Sequence, residues 1–422
     1  MSPAAEADTN EHRTKNNQVK TFINQLRGDR TIWMVALFLG LISLLAVYSS
    51  ISSLAFKRGG SLHFLFKHGM MLVTGGVIMY YASQLRHTMY SRLSMLLFWP
   101  VVALLGVTLV FGSNINDASR WVEIPGIGIS FQTSDLAKVI LIVYLARMLS
   151  KHAEELQTFR GVLLRLMIPI AAVCGLILPA NFSTAALTFL VCLVLMFLGK
   201  VPMKWIGAMV GLAIGGFVLL VGANEALDLG VLPRVETWQA RVENFGATDS
   251  EGNYQVEHAA IAIANGGMLP YNGPGGGESR NHLPHPYSDM IYAFIIEEYG
   301  SILGGIGLLL LYLILMRRSI KVAAKCEKPF GALVAVGLSF NLVLQAMVNM
   351  GVAVGLLPTT GQPLPLVSMG GTSIWFTCLA IGIVLSVSRS LEPPTIESGT
   401  DTPRKARPTT STSGHAGEPA LA

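Results

Sequence analysis

The sequence predicts an all-α, polytopic membrane protein with about ten transmembrane helices, both termini cytoplasmic and one large extracytoplasmic loop between helices 7 and 8. Three observations predict it. Of 422 residues, 52% are hydrophobic and only 13% charged, and the mean hydropathy is +0.53, far more apolar than a soluble domain of this length. Apolar runs of roughly the 20 residues that cross a bilayer core recur from Ile32 to Ser388. Lys and Arg gather in alternate connectors, which marks those connectors as cytoplasmic.

The expected spans are 32–56, 68–85, 93–112, 134–149, 162–179, 183–199, 205–222, 289–316, 330–357 and 367–388. The fourth is the shortest and carries Asp135 and Lys138; it reads as a partly polar spanning helix rather than a re-entrant piece. Residues 1–29 are polar, with neither the apolar core nor the small-residue cleavage site of a secretory signal. Residues 391–422 are rich in Pro, Ser and Thr. Both are expected to be disordered cytoplasmic tails flanking a transmembrane domain of residues 30–390.

Orientation follows from the basic clusters. Arg86 and Arg92, then Arg147, Lys151, Arg160 and Arg165, then Lys200 and Lys204, then Arg317, Arg318, Lys321, Lys325 and Lys328 fall on one side, the cytoplasm. The other side receives the 112–133 loop, a tight turn near Asn181, the 358–366 connector and the loop 223–288, which has eight acidic residues against three arginines. Lys57, Arg58 and Lys67 are exceptions too few to reverse the pattern. The net charge of +5 is therefore a topology signal and not a nucleic-acid footprint. Cys174, Cys192, Cys326 and Cys378 lie in or beside apolar spans without metal-ligand spacing; packing is their expected role, with no disulfide and no zinc.

Three polar clusters fall on the external side. In "NDASRWVEIPGIGISFQTSDLAK", Arg120 and Trp121 precede Gln132 and Ser134, and Asp135 and Lys138 stand three apart on one helical face, able to pair. That pair reads either as a lock between helices or as a substrate contact. In the large loop, "GNYQVEHAAIAIANGG" is amphipathic and "GPGGGESRNHLPHPYSD" is dense in glycine, which permits close backbone approach or sharp bends. No strand and helix flank it as a dinucleotide fingerprint requires. His282, His285 and Asp289 are unevenly spaced around Pro286, which argues against a metal triad. In "GLLPTTGQPLPLVSMGGTSIW", prolines and the pair Gly370–Gly371 predict non-helical backbone at membrane depth, tolerated only inside protein or beside a wet cavity.

Asp289 opens the eighth span in "LPHPYSDMIYAFIIEEYG", positions 283–300. A carboxylate facing lipid costs up to ~3 kcal/mol at mid-membrane and less toward the interface. At 100° per residue, Ile296, Gly300 and Gly307 fall within about 20° of its direction, and a glycine seam marks close helix contact. Asp289 is thus expected to point into the bundle at the external mouth of a cavity. Glu297 and Glu298 point elsewhere and are expected to serve neighbouring helices or packing.

The stretches "ASRW", "FQTSDLAK", "GNYQ", "LPHPYSDMIYAFIIEEYG" and "GLLPTTGQPLPLVSMGGTS" resemble, in order and spacing, the SEDS (FtsW/RodA) family of peptidoglycan polymerases over about residues 29–389. "QAMVNMGVAVGLLPTTG" and "DRTIWMVALFLGLISLLAVYSSISS" look more like its division branch than its elongation branch. The resemblance implies ten spans, a large external loop between the seventh and eighth, and transfer of glycan from lipid II on the outer face of the bacterial cytoplasmic membrane, at the division septum. It implies that Asp289 is the essential acid/base residue. Substrate-binding candidates are Arg120, Trp121, Gln132, Ser134, Asp135, Lys138, Tyr254, Gln255, Arg280, His285, Thr360, Ser368, Gly370 and Gly371. The resemblance fixes no cofactor, and a divalent cation, Mg or Mn, is an available Lewis acid. The implied partners are a class B penicillin-binding protein and other divisome proteins. A lipid II flippase or a non-catalytic scaffold for a transpeptidase are the alternatives.

The chain departs from the family pattern at several positions. Where the family commonly has Pro-Glu-x-His-Thr-Asp, Pro284 is followed by His285, Pro286, Tyr287 and Ser288. Arg280 in "GESRN" stands in for a lysine, Asp135 for a glutamate and Asn181 for an aspartate.

Overall fold

A computed structural model describes residues 27–58, 61–115, 118–124, 129–227, 238, 254–270, 273–279 and 287–392. Every expected span coincides with a helix: α1 (Arg30–Arg58), α2 (Ser61–Gln84), α3 (His87–Phe111), α4 (Thr133–Lys151), α5 (Phe159–Ile177), α6 (Phe182–Leu198), α7 (Met203–Leu227), α9 (Ile291–Lys325), α10 (Pro329–Ala353) and α11 (Ser373–Arg389). The amphipathic segment of the large loop forms α8 (Tyr254–Gly266). Six of these, α1, α3, α5, α7, α9 and α10, are long and apolar enough to cross a membrane; α6 and α11 are apolar but only 17 residues long. The chain is an all-α, multi-pass membrane protein.

Lipid tails are as apolar as the side chains, so association of such helices depends on packing rather than on exclusion of water. α2 and α11 approach backbone to backbone: a Cβ at Gly382 would lie 2.7 Å from the Met79 carbonyl oxygen, and one at Gly75 2.8 Å from Cys378 Sγ. α4 is buried along nearly all its length, Asp135 and Lys138 included, so its polar residues face other helices. Its 19 residues reach about 28 Å at 1.5 Å per residue, although it is not among the six helices that are both long and apolar enough to cross.

The contacts define two ends. At the basic end, Asp29 Oδ1 accepts from the amides of Thr31 (2.9 Å) and Ile32 (3.3 Å), capping α1, while its carboxylate pairs with Arg318 of α9. Arg389 of α11 donates to the Gln84 carbonyl at 2.6 Å. The opposite end collects the described residues of the segments 112–133, 254–290 and 354–372.

Three expectations need correction at that end. The 112–133 segment carries a three-stranded antiparallel sheet, β1 (Ser113–Ile115), β2 (Ala118–Ile124) and β3 (Ile129–Gln132), in the order β1-β2-β3. The non-helical connector runs from 354 to 372, longer than 358–366, because Pro358, Pro363 and Pro365 offer no amide to continue a helix. α9 starts at Ile291 and breaks at Gly300, where φ is +76° and ψ 162°. The 100° periodicity therefore does not carry from Asp289 to Gly307, and no continuous glycine seam exists. A side chain at Gly300 would put a Cβ 2.7 Å from the carbonyl carbon of Leu269, so the break is also a point of close approach.

Candidate active site

Asp289 lies in a turn, residues 287–290, immediately before α9. Three consecutive carbonyls of this turn are bonded to other elements. The Met369 amide donates to Tyr287 O at 2.9 Å, Ser368 Oγ to Ser288 O at 2.6 Å, and Asn349 Nδ2 to Asp289 O at 2.8 Å. These carbonyls are drawn to other elements, and the helix starts after Asp289, the Phe294 amide donating to Met290 O at 3.3 Å. The backbone is fixed and the half-buried side chain is the free end: the Asp289 carboxylate has no hydrogen bond or ion pair among the described residues.

The carboxylate opens into a small open cleft lined by Gln255 of α8, Asp289, Met290, Asn349 and Val352 of α10, and Thr359, Thr360, Gly361 and Gln362 of the connector. Its other polar groups among the described residues are neutral. A Cβ built on Gly361 would lie 3.6 Å from Asp289 Oδ2, so the connector forms the wall against the carboxylate. That wall is tied at three points. Asn349 Nδ2 donates to Gln362 O at 2.7 Å, Gln345 Nε2 to Pro363 O at 2.9 Å, and Gln362 Nε2 to Thr184 Oγ1 at 2.6 Å. Thr184 belongs to the first turn of α6, capped by Asn181, whose Oδ1 accepts from the Thr184 amide at 3.2 Å.

Of the sequence-predicted residues, Asp289, Gln255 and Thr360 meet in this pocket. Tyr254, beside Gln255, is exposed and packs its ring 4.0 Å from that of His258. Asp135 and Lys138 pair at 2.8 Å, and Lys138 Nζ also reaches Gln345 Oε1 at 3.4 Å; both stand behind the connector, outside the pocket lining. Gln132 donates to Ser134 Oγ at 3.1 Å, and its amide to Thr372 Oγ1 at 3.3 Å. Ser368 is 2% exposed, its hydroxyl also accepting from the Leu364 amide at 2.8 Å. Gly370 and Gly371 turn the chain into α11. Arg120 and Trp121 sit on β2, where Trp121 pairs with Gln132; their side chains, and Arg280 and His285 entirely, lie outside the described residues.

Sequence reading missed Asn349, Thr359, Gly361 and Gln362. For Asn349 a signal existed: it follows Gln345 by four residues in an otherwise apolar helix, so both amides share one face, and polar residues inside a membrane are functional by default.

A multi-pass helical bundle that presents a single carboxylate in a pocket at one end has the makings of a membrane enzyme. The FtsW/RodA/SpoVE family model, described as a cell cycle protein, matches residues 29–392, and the chain belongs to that family. A probable peptidoglycan glycosyltransferase FtsW of Geobacter sulfurreducens (strain DL-1 / KN400) is 31% identical, over 87% of this chain and 96% of that protein. One of Coxiella burnetii is 30% identical, over 85% and 96%. Among solved structures, a chain from "Structural coordination of polymerization and crosslinking by a peptidoglycan synthase complex" superposes with TM-score 0.68 at 24% identity, covering 86% of this chain and 98% of that one. The rod shape determining protein RodA of Thermus thermophilus gives 0.62 at 23%, covering 87% and 98%. These two likenesses establish the fold.

Proposed function

We propose that this chain, a peptidoglycan glycosyltransferase of the FtsW type, polymerises lipid II during septal cell-wall synthesis, with Asp289 as general base for the acceptor hydroxyl. The observation that carries this reading is the unpartnered Asp289 carboxylate, fixed by its backbone at the mouth of a neutral polar pocket. A sugar hydroxyl is a weak nucleophile until a positioned base takes its proton. In the proposed step the acceptor oxygen bonds to the donor's anomeric carbon, the bond from that carbon to the pyrophosphate oxygen breaks, and the electron pair leaves with the lipid-linked pyrophosphate. The hydroxyl proton passes to Asp289.

A single displacement inverts the anomeric centre and needs no carboxylate nucleophile, so one carboxylate suffices. Charge on the departing pyrophosphate calls for cations. Arg120 and Arg280 are assigned that role, since Lys138 is already held by Asp135 and Gln345. Among the described residues no group of three His, Cys, Asp or Glu could hold a metal. One carboxylate among neutral oxygens fits Mg or Mn only together with substrate phosphates, the usual mode for Mg. Bound there, the ion would neutralise phosphate charge.

In this reading the loop-bearing end faces outward from the bacterial cytoplasmic membrane, both termini are cytoplasmic, and a class B penicillin-binding protein and other divisome proteins are the partners. The structural neighbour from a peptidoglycan synthase complex supports a transpeptidase partner. The test is polymerisation of purified lipid II by the reconstituted chain, with and without that transpeptidase, wild type beside Asp289→Ala. Loss of polymer with folding and insertion intact is expected. Full polymerisation by the variant would remove Asp289 from the chemistry, while lipid II translocation without polymer would favour a flippase.

A further inference from the structure

We propose that Glu297 and Glu298 are positioning residues for the glycosyl transfer, holding the outer piece of α9 and the Asp289 turn at its head; the inference rests on Asp289 as the base. α9 is not one continuous rod. At the Gly300 break, the amides of Ser301 and Ile302, which a regular helix would give to carbonyls four residues back, donate instead to Gly267 O at 3.0 Å and Met268 O at 3.2 Å. The outer piece, Ile291–Tyr299, therefore lacks an uninterrupted hydrogen-bond ladder into the membrane part of its own helix. Lateral bonds must orient it.

The two carboxylates supply such bonds in two directions, since consecutive helical residues project about 100° apart. Glu297 Oε1 accepts from the amides of Glu278 at 3.1 Å and Ser279 at 3.2 Å. Glu298 Oε1 accepts from the Gly275 amide at 2.9 Å and from the Ser49 hydroxyl of α1. Both residues are essentially fully buried, 1% and 0% exposed, where a hydrogen bond is electrostatically stronger than in water. The loop's glycine density has its reason here: a Cβ on Gly277 would lie 2.6 Å from Glu297 Oε2, so only a bare backbone brings amides of this loop onto the buried acids. Those amides serve the protein's own carboxylates rather than a bound phosphate. The latch joins the outer piece of α9 to the 273–279 loop and to α1. Misplacing a catalytic group by about 1 Å costs on the order of 10²-fold in rate.

The test uses the full chain in lipid nanodiscs with purified lipid II, comparing wild type with Glu297→Ala, Glu298→Ala, Glu297→Gln and Glu298→Gln. The Ala variants are expected to lose about 10- to 100-fold in kcat with KM changed less than threefold. The Gln variants, which keep a carbonyl acceptor, are expected to recover most of that loss. Hydrogen exchange at the Gly275, Glu278 and Ser279 amides should rise at least tenfold in the Ala variants. Wild-type kcat in an Ala variant, a raised KM at constant kcat, or unchanged exchange would each overturn the proposal. If the Ala variants do not fold, Gly277→Ala, which displaces Glu297 without altering either acid, carries the same kcat and exchange criteria. The exchange readout is independent of Asp289, so an active Asp289→Ala variant would sink the base assignment and leave the latch to be judged separately.

Discussion

Asn349 Nδ2 donates to the carbonyl oxygens of both Asp289, at 2.8 Å, and Gln362, at 2.7 Å. One buried amide thus joins the turn bearing the carboxylate to the wall that faces it, and sets the width of the pocket between them.

Replacing Asn349 with Ala should leave two carbonyls without their donor, at a cost of about 1–3 kcal/mol each where water cannot reach. The expected outcome is a lowered unfolding temperature together with a kcat loss of ten-fold or more in lipid II polymerisation. Asn349→Asp should be worse than Ala, because an ionised carboxylate offers no donor and places a second negative charge beside Asp289. Wild-type turnover by the Asp variant would show that the bridge does not organise the site.

The Asp135–Lys138 pair separates its two readings through stability. Lys138→Met leaves a buried carboxylate alone and should destabilise by about 3–5 kcal/mol. Adding Asp135→Leu removes the orphaned charge, and replacing a buried pair by apolar residues is often close to neutral. Thermal unfolding should therefore return toward wild type in the double variant, and polymerisation with it, if the pair locks α4 to α10. A double variant that is stable yet inactive would make the pair a substrate contact.

How much of this was legible beforehand differs by element. Each apolar run picked out by hydropathy coincides with a helix, six of them long and apolar enough to cross a membrane, because bilayer thickness imposes a length that apolar runs must meet. The Asp135–Lys138 contact was legible from local spacing alone. Asp289 was found as a residue but misplaced as the start of a regular helix, since the bonds that hold its turn come from Asn349, Ser368 and Met369, between 60 and 80 residues away in the chain. The Gly300 break was equally hidden: it depends on the 267–270 segment folding against α9, a long-range contact that periodicity does not register. Likewise the 112–133 sheet pairs two strands of three and four residues with β2, which is seven residues long but mixes polar and apolar side chains without alternation.

Asn181 stands where the family resemblance leads one to expect an aspartate, and its side chain fills a role open to either residue. Its side-chain oxygen caps α6 through the Thr184 amide, a task Asn and Asp perform about equally. Asn181→Asp should leave polymerisation within about twofold of wild type and shift stability slightly upward, the added charge favouring a helix N-terminus. Asn181→Ala should cost about 1 kcal/mol and, because Thr184 Oγ1 holds Gln362, lower activity as well. Thermal unfolding paired with initial rates checks both, and an inactive Asn181→Asp would mean the charge matters for something other than the cap.

Cation dependence follows from the donor set at the pocket. Asp289 is its sole carboxylate among the described residues, and Gln255, Asn349, Thr359, Thr360 and Gln362 contribute only neutral groups. A hard divalent cation held by one carboxylate keeps most of its water and binds weakly until phosphate oxygens complete its shell. Calorimetric titration of Mg or Mn into the reconstituted chain alone should accordingly give no measurable saturation, and titration in the presence of lipid II should give one that Asp289→Asn weakens. Chelation should slow polymerisation, with activity restored by adding back either ion. Tight binding of the ion to the substrate-free chain would point instead to a complete protein site formed with residues beyond the pocket lining.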